Sequence, residues 1–141
     1  MAYDANNIFA RMVRGEIPCI RVYEDAETLA FMDIMPQTDG HTLVVPKVAG
    51  ENICDTPPDS VVAAIRATQR IARAVQRAFA PPGLIVKQFN GPAAGQTVLH
   101  LHFHVVPVYA AGVSRPHARD KADPAVLEQH AARIRAALAA G

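Results

Sequence analysis

Apolar and polar positions recur along this chain with two different periods, and the switches between them mark out its elements. Ile8, Phe9, Met12 and Val13 repeat at helical spacing between Asn7, suited to cap a helix start, and Gly15, suited to the left-handed position past its end, so a short helix is expected there. Ile20 to Glu24 and Thr28 to Asp33 read as two strands joined by a turn at Asp25-Ala26-Glu27. His41 to Lys47 reads as a third strand, apolar through Leu43, Val44 and Val45, with Pro46 marking a strand end near an edge or exit. The longest helix is expected from about Asp59 or Ser60 to Phe79, after Pro57-Pro58 and before Pro81-Pro82-Gly83. Its buried stripe reads as Val61, Ile65, Thr68, Ala72, Val75 and Phe79. Leu84 to Phe89 and about Val98 to Tyr109 complete the strands, and residues 110–122 read as loop. Asp123-Pro124 opens a last helix, to about residue 139, with Leu127, Ala131, Ile134 and Leu138 as its stripe. The fold class this predicts is α+β: a mainly antiparallel five-stranded sheet, one long central helix, and short N- and C-terminal helices.

Composition narrows the picture without changing it. With 141 residues, 50% apolar and 19% charged, the chain suits one domain over 1–141 with no linker. A net charge of +1 supplies no bulk field for nucleic acid or an anionic membrane, and neither partner is expected. Arg66, Arg70, Arg73 and Arg77 form a row on the long helix, but no aromatic residues interleave, so the row reads as a solvated face. No apolar run approaches the ~20 residues of a membrane span. Cys19 and Cys54 follow no Cys-x-x-Cys pattern, which argues against a disulfide framework or a thiolate zinc site. Met1-Ala2-Tyr3-Asp4 lacks signal-peptide character, so a cytoplasmic protein is expected.

Candidate chemistry concentrates in His100-Leu101-His102-Phe103-His104. On a strand, two-residue spacing would line all three imidazoles along one face, roughly 6.5–7 Å apart, with Leu101, Phe103 and Val105 turned into the core. Such a row suits a metal site, in which His41 adds a fourth nitrogen. With no nearby Asp, Glu or Cys on that face, the row better suits nucleophilic catalysis at phosphorus through a covalent phosphohistidine. That chemistry needs one ring nitrogen held protonated, donors for the phosphoryl oxygens, and an acid for the leaving group. The loop ahead of the row is equipped for the donors: Gly91 and Gly95 admit close backbone approach to an anion, and Gln96 and Thr97 add side-chain donors.

The run Asn90-Gly91-Pro92-Ala93-Ala94-Gly95-Gln96-Thr97-Val98-Leu99-His100-Leu101-His102-Phe103-His104-Val105-Val106-Pro107 closely resembles the signature of the histidine triad (HIT) family. Phe31-Met32-Asp33-Ile34-Met35-Pro36, Gly40 to Lys47, Ile8-Phe9 and Gly15-Glu16-Ile17-Pro18 extend the resemblance over roughly residues 7–108, leaving a C-terminal extension. It implies a nucleotidyl hydrolase or transferase acting on the α-phosphate of a nucleoside phosphoramidate or related purine nucleotide, with no cofactor. By position, His102 would be the nucleophile, His104 would bond the phosphate, His100 would order the site, and His41 would support the triad. Gln96 and Thr97 would contact the phosphate or leaving group, with Gly95 and Asn90 beside them, and Asp33 would accept the ribose hydroxyls. Ile8, Phe9, Met12, Phe31 and Ile34 would wall the base pocket. The resemblance also implies a homodimer joined through the central sheets. The alternatives are a nucleotide-binding adaptor with little turnover and, behind it, a His-ligated zinc enzyme. Many bacterial relatives carry a Cys-x-x-Cys near the start that helps bind structural zinc; Asn7 and Ala10 stand there in this chain, so no such site is expected. Phe89-Asn90 replaces a common pair of asparagines, and the tail beyond Tyr109 departs from the phosphoramidase branch.

Overall fold

The computed structural model describes residues 2–110 and 120–141. Three α-helices, α1 (Ile8–Val13), α2 (Pro58–Phe79) and α3 (Pro124–Ala139), surround strands β1 (Arg21–Glu24), β2 (Thr28–Met32), β3 (Thr42–Pro46), β4 (Gly83–Lys87) and β5 (Phe103–Val108). The five strands form an open sheet in the order β1-β2-β3-β5-β4, every neighbouring pair antiparallel. The α+β class follows as expected.

Local chemistry explains where the elements begin and turn. The Asn7 side chain accepts the Ala10 N–H at 2.9 Å and caps α1. Asp25 Oδ1 accepts the amides of Glu27 and Thr28 at 2.8 and 2.7 Å, closing the β1–β2 turn. Asp123 accepts the Ala125 N–H at 2.9 Å, and Pro124 follows as the first residue of α3.

Period-two alternation then sorts the strand side chains between two faces. Ala30, Met32, Val44, Phe103 and Val105 pack with Ala64, Ile71 and Val75 of α2 and with Leu127 and Ile134 of α3. Leu29, Phe31, Leu43 and Val45 turn the other way and pack with Phe9 of α1. His104 stands opposite Leu43 in the β3–β5 register, so it shares the α1 face.

Three expectations need correction. The histidine strand is shorter than Val98–Tyr109: β5 starts at Phe103, so of the row only His104 lies in the ladder. The backbone ahead of it bonds elsewhere, the Leu101 N–H donating to the Gly50 carbonyl at 3.0 Å. The long helix buries Ala64, Ala67, Thr68, Ile71, Ala74 and Val75, whereas Ile65 is 49% exposed. Alanines on the inner face let α2 lie close against the sheet, which rotates Ile65 outward. β3 is the central strand, so of the two placements expected for Pro46 it takes the strand exit. β4 runs Gly83–Lys87 and stops short of Phe89. Of the expected loop at 110–122, residues 111–119 lie outside the described residues.

Candidate active site

The end of the β2–β3 ladder sets the first part of the site. Beyond the Met32–Thr42 pair, the Asp33 N–H donates to the His41 carbonyl at 3.1 Å, which keeps these two residues side by side. The loop between them is tied to β5 by the Thr38 hydroxyl, which donates to the Pro107 carbonyl at 2.6 Å. His41 is fully buried and His104 nearly so, and Asp33 is 8% exposed.

Hydrogen-bond partners fix where each ring carries its proton. The Gln37 N–H donates to His41 Nδ1 at 3.0 Å, so the His41 proton sits on Nε2. His41 Nε2–H then donates to His104 Nδ1 at 2.9 Å, with Asp33 Oδ2 3.4 Å from the same nitrogen. An accepting Nδ1 puts the His104 proton on Nε2. His102 Nδ1 lies 2.7 Å from the His100 carbonyl, an acceptor, so Nδ1 is protonated and Nε2 holds the lone pair. His100 Nε2 donates to the Pro46 carbonyl at 2.7 Å, and its Nδ1 meets the Tyr3 hydroxyl at 2.6 Å. Burial holds His100 below the ordinary histidine range, which favours this neutral form.

The rings are close. His102 and His104 have centroids 5.1 Å apart, nearer than an extended strand would place them, because His102 stands ahead of the ladder. Phe9 meets His102 edge-on at 4.9 Å and 83°, and Phe89 meets His104 at 5.7 Å.

A cavity of about 80 Å³ opens beside them, lined by Ile8, Phe9, Met12, Phe31, Asp33, Ile34, Thr97, His102 and His104 among others. Ile8 and Ile34 are 44% and 41% exposed, a rim of apolar surface over an apolar floor. Two larger hollows, of about 490 and 430 Å³, lie along α2 and include none of these histidines. The expected apolar wall, Asp33 and Thr97 are therefore brought together with His102 and His104, whereas His41, His100, Asn90, Gly95 and Gln96 are not in the cavity lining.

The loop before the histidines divides into exposed and buried parts. Gly91 and Gly95 adopt positive φ of 92° and 103°, and Thr97 is exposed. Gln96 is buried with its amide engaged inside the loop: Oε1 accepts the Gly91 N–H at 2.8 Å, while Nε2 donates to the carbonyls of Glu51 and Val98 at 2.5 and 3.0 Å. Asn90 is exposed, its Oδ1 accepting the Ile53 N–H at 2.9 Å.

Sequence reasoning missed several contributors. Tyr3, Gly50 and the Pro46 and Glu51 carbonyls carry no motif; they act through backbone groups or through a hydroxyl distant in sequence. Lys87 stands opposite His104 in the β4–β5 register, donates to Gln37 Oε1, and has its pKa lowered by burial against the opposing pull of Asp33.

Asp33, His41 and His104 bring possible ligand atoms within 4.8 Å, the one such group of three found among the described residues. The atoms facing one another there are already a proton-bearing nitrogen, an accepting nitrogen and a carboxylate oxygen, so the group is complete as a hydrogen-bonded relay. Asn7 and Ala10 supply no thiolate: one caps α1 and the other is buried. The residues present do not fit a structural zinc ion.

Comparisons with known proteins converge on one family. The HIT domain matches residues 14–111. The chain is 43% identical to Protein hit of Bacillus subtilis over 107 residues, covering 76% of this chain and 74% of that one. It is 35% identical over 113 residues to an adenosine 5'-monophosphoramidase of Schizosaccharomyces pombe, covering 77% of this chain and 82% of that one. A crystal structure of a HIT-like protein involved in cell-cycle regulation from Bartonella henselae superposes with a TM-score of 0.91 at 47% identity, covering 97% of this chain and 99% of that one.

Proposed function

Since this chain belongs to the histidine triad family, we propose that it is a nucleotidyl hydrolase or transferase acting on the α-phosphate of a purine nucleoside phosphoramidate or related nucleotide. The observation that carries this reading is the 2.7 Å bond from His102 Nδ1–H to the His100 carbonyl. It fixes the neutral tautomer with its lone pair on Nε2, in a residue that lines the apolar cavity.

In the first step His102 Nε2 forms a bond to the α-phosphorus while the bond to the leaving group breaks, and the leaving amine or alcohol takes a proton from solvent water. In the second, water attacks the nucleotidyl phosphorus and gives its proton to solvent, the Nε2–P bond breaks with its electron pair returning to Nε2, and the nucleoside monophosphate leaves a neutral imidazole. The proton on His104 Nε2 serves the phosphoryl oxygens, and His41 holds that tautomer through Nδ1 of His104. Exposed Thr97 borders the same cavity, and Gln96 shapes from within the loop that carries Thr97 and positive-φ Gly95. Asp33 lines the cavity with Ile8, Phe9, Met12, Phe31 and Ile34, which supports ribose recognition beside an apolar base pocket.

The proposal extends to a cytoplasmic homodimer formed by one domain spanning 1–141. Free Cys19 and Cys54 suit a reducing compartment. β4 is a sheet edge with Ile85 and Val86 exposed at 39% and 50%, a surface that pairing with a second copy would cover. A Val86→Lys variant is then expected to shift light-scattering mass from dimer to monomer.

The direct test mixes the protein rapidly with a fluorogenic adenosine phosphoramidate and follows intact mass. A transient adduct of one adenylyl group is expected, localised to His102. His102→Ala should lose on the order of 10³-fold or more in turnover, since no neighbouring group replaces the nucleophile. A variant that turns over like the parent removes the assignment. Nucleotide affinity with negligible parental turnover would mark an adaptor instead.

A further inference from the structure

The bonds around His100 run in one direction and begin outside the histidine segment. Asn7 uses its Oδ1 to accept the Ala10 N–H, so its amide nitrogen is the donor toward the Tyr3 hydroxyl, 2.9 Å away. At its other end, the His100 ring meets the Pro46 carbonyl, which can only accept, so His100 Nε2 carries the proton. A neutral His100 then has a bare Nδ1, and the Tyr3 hydroxyl 2.6 Å away must donate to it. The His100 ring is pinned at both nitrogens, by Tyr3 on one side and β3 on the other.

This matters because the His100 backbone lies outside the sheet. The segment before Phe103 has no ladder bonds to hold it. Around His100 it is held by the Leu101 N–H to the Gly50 carbonyl, by the buried Leu101 side chain and by the His100 ring itself. The carbonyl it carries is the one that accepts the His102 Nδ1 proton. A shift in the ring therefore moves the group that sets the His102 tautomer.

We infer that Tyr3, oriented by Asn7, is a positioning residue for nucleotidyl transfer: it holds the His100 ring, and through the His100 carbonyl it keeps the lone pair of His102 on Nε2. The N-terminal segment thereby acts on two histidines at once, since Phe9 of α1 packs edge-on against His102. The kinetic part of this inference rests on the nucleophile assignment proposed above; the tautomer part does not.

The test uses the full chain with ¹⁵N-labelled histidine rings and two variants. Tyr3→Phe removes the hydroxyl, while Asn7→Asp keeps an oxygen to cap α1 and loses the donor to Tyr3. In the parent, ring ¹⁵N shifts should show His100 as the Nε2–H tautomer and His102 as the Nδ1–H tautomer. In Tyr3→Phe the His100 Nδ1 resonance should move and His102 should lose its single tautomer. Single-turnover adenylylation at saturating adenosine phosphoramidate should then fall about 10- to 100-fold, with KM changed less than about twofold. Asn7→Asp should give a smaller loss of the same kind, with a melting temperature close to the parent's. A parental His100 in the Nδ1–H form overturns the inference. So does a Tyr3→Phe protein with the parent's His102 tautomer, or one whose loss lies wholly in KM. Should the parent form no adduct at His102, the proposed function fails by itself, and the ring spectra still decide the positioning role.

Discussion

Gly50→Ala tests how far the histidine segment depends on the connection between β3 and α2. A Cβ built on Gly50 would lie 2.2 Å from Thr56 Oγ1, 3.0 Å from Thr56 Cβ and 3.2 Å from Thr56 Cα. Rotating the Thr56 side chain relieves the first contact and gives up its 2.7 Å bond to the Asn52 carbonyl, a loss of about 1 kcal/mol. The contacts to Cβ and Cα remain, so the backbone must move, and overpacking of this kind costs about 1–3 kcal/mol. Together these give a destabilisation of about 2–4 kcal/mol, a fall in melting temperature of roughly 6–15 °C for a chain of this size. The Gly50 carbonyl is also the acceptor for the Leu101 N–H, between His100 and His102. Displacing it should therefore lower kcat more than 10-fold while nucleotide affinity changes little. Calorimetry and single-turnover kinetics read the two effects separately, and adding Thr56→Ala should restore part of both, giving a coupling of about 1 kcal/mol. A Gly50→Ala protein that melts within about 2 °C of the parent at parental kcat would refute the argument.

Other sites give independent tests. Thr38→Val leaves the buried Pro107 carbonyl without its 2.6 Å donor and should cost about 1–3 kcal/mol in urea unfolding. Asp33→Asn removes the carboxylate 3.4 Å from His41 Nε2; nucleotide affinity measured by titration calorimetry should fall, and fall less for a 2',3'-dideoxynucleotide than for the ribonucleotide. Burial lowers the folded pKa of His100 beneath its ordinary value of 6.5, so the unfolded chain binds the proton more readily. The resulting stability is present in full above about pH 6.5 and is lost as pH falls through that value toward the lower folded one. Urea midpoints should therefore drop between pH 7.5 and 5.5, and less steeply in His100→Gln. Exhaustive chelation should leave turnover unchanged, with elemental analysis finding no stoichiometric zinc.

The sequence made the ladder legible because burial on a sheet has a short period. Leu43 and Val45 against Val44 announce two faces, and both faces prove to be packed. The capping residues Asn7 and Asp123 were equally readable, since their chemistry is local. The histidine row was found for the same reason, yet its geometry was misjudged: alternation predicts a strand, and nothing in His100-Leu101-His102 says that the Leu101 amide bonds to Gly50 instead. Ile65 was misplaced on α2 because helical spacing alone does not tell a stripe of large residues from a neighbouring stripe of alanines that packs closer. Tyr3 could not have been found, because its partner lies 97 residues away and a lone tyrosine carries no signature.

The break between the ladder and the segment ahead of it has a consequence for how the molecule breathes. Val105 and its neighbours exchange their amide hydrogens only when the sheet itself opens, since β5 is bonded on both sides, to β3 and β4. The Leu101 amide depends on one acceptor in a connecting loop, so a local excursion of residues 50–56 is enough to release it. Hydrogen exchange should then resolve two classes within a few residues of each other, with His104 in the slow class and Leu101 in the faster one. His102 would thus stand at the boundary between a segment whose amide rests on one loop acceptor and a ladder bonded on both sides.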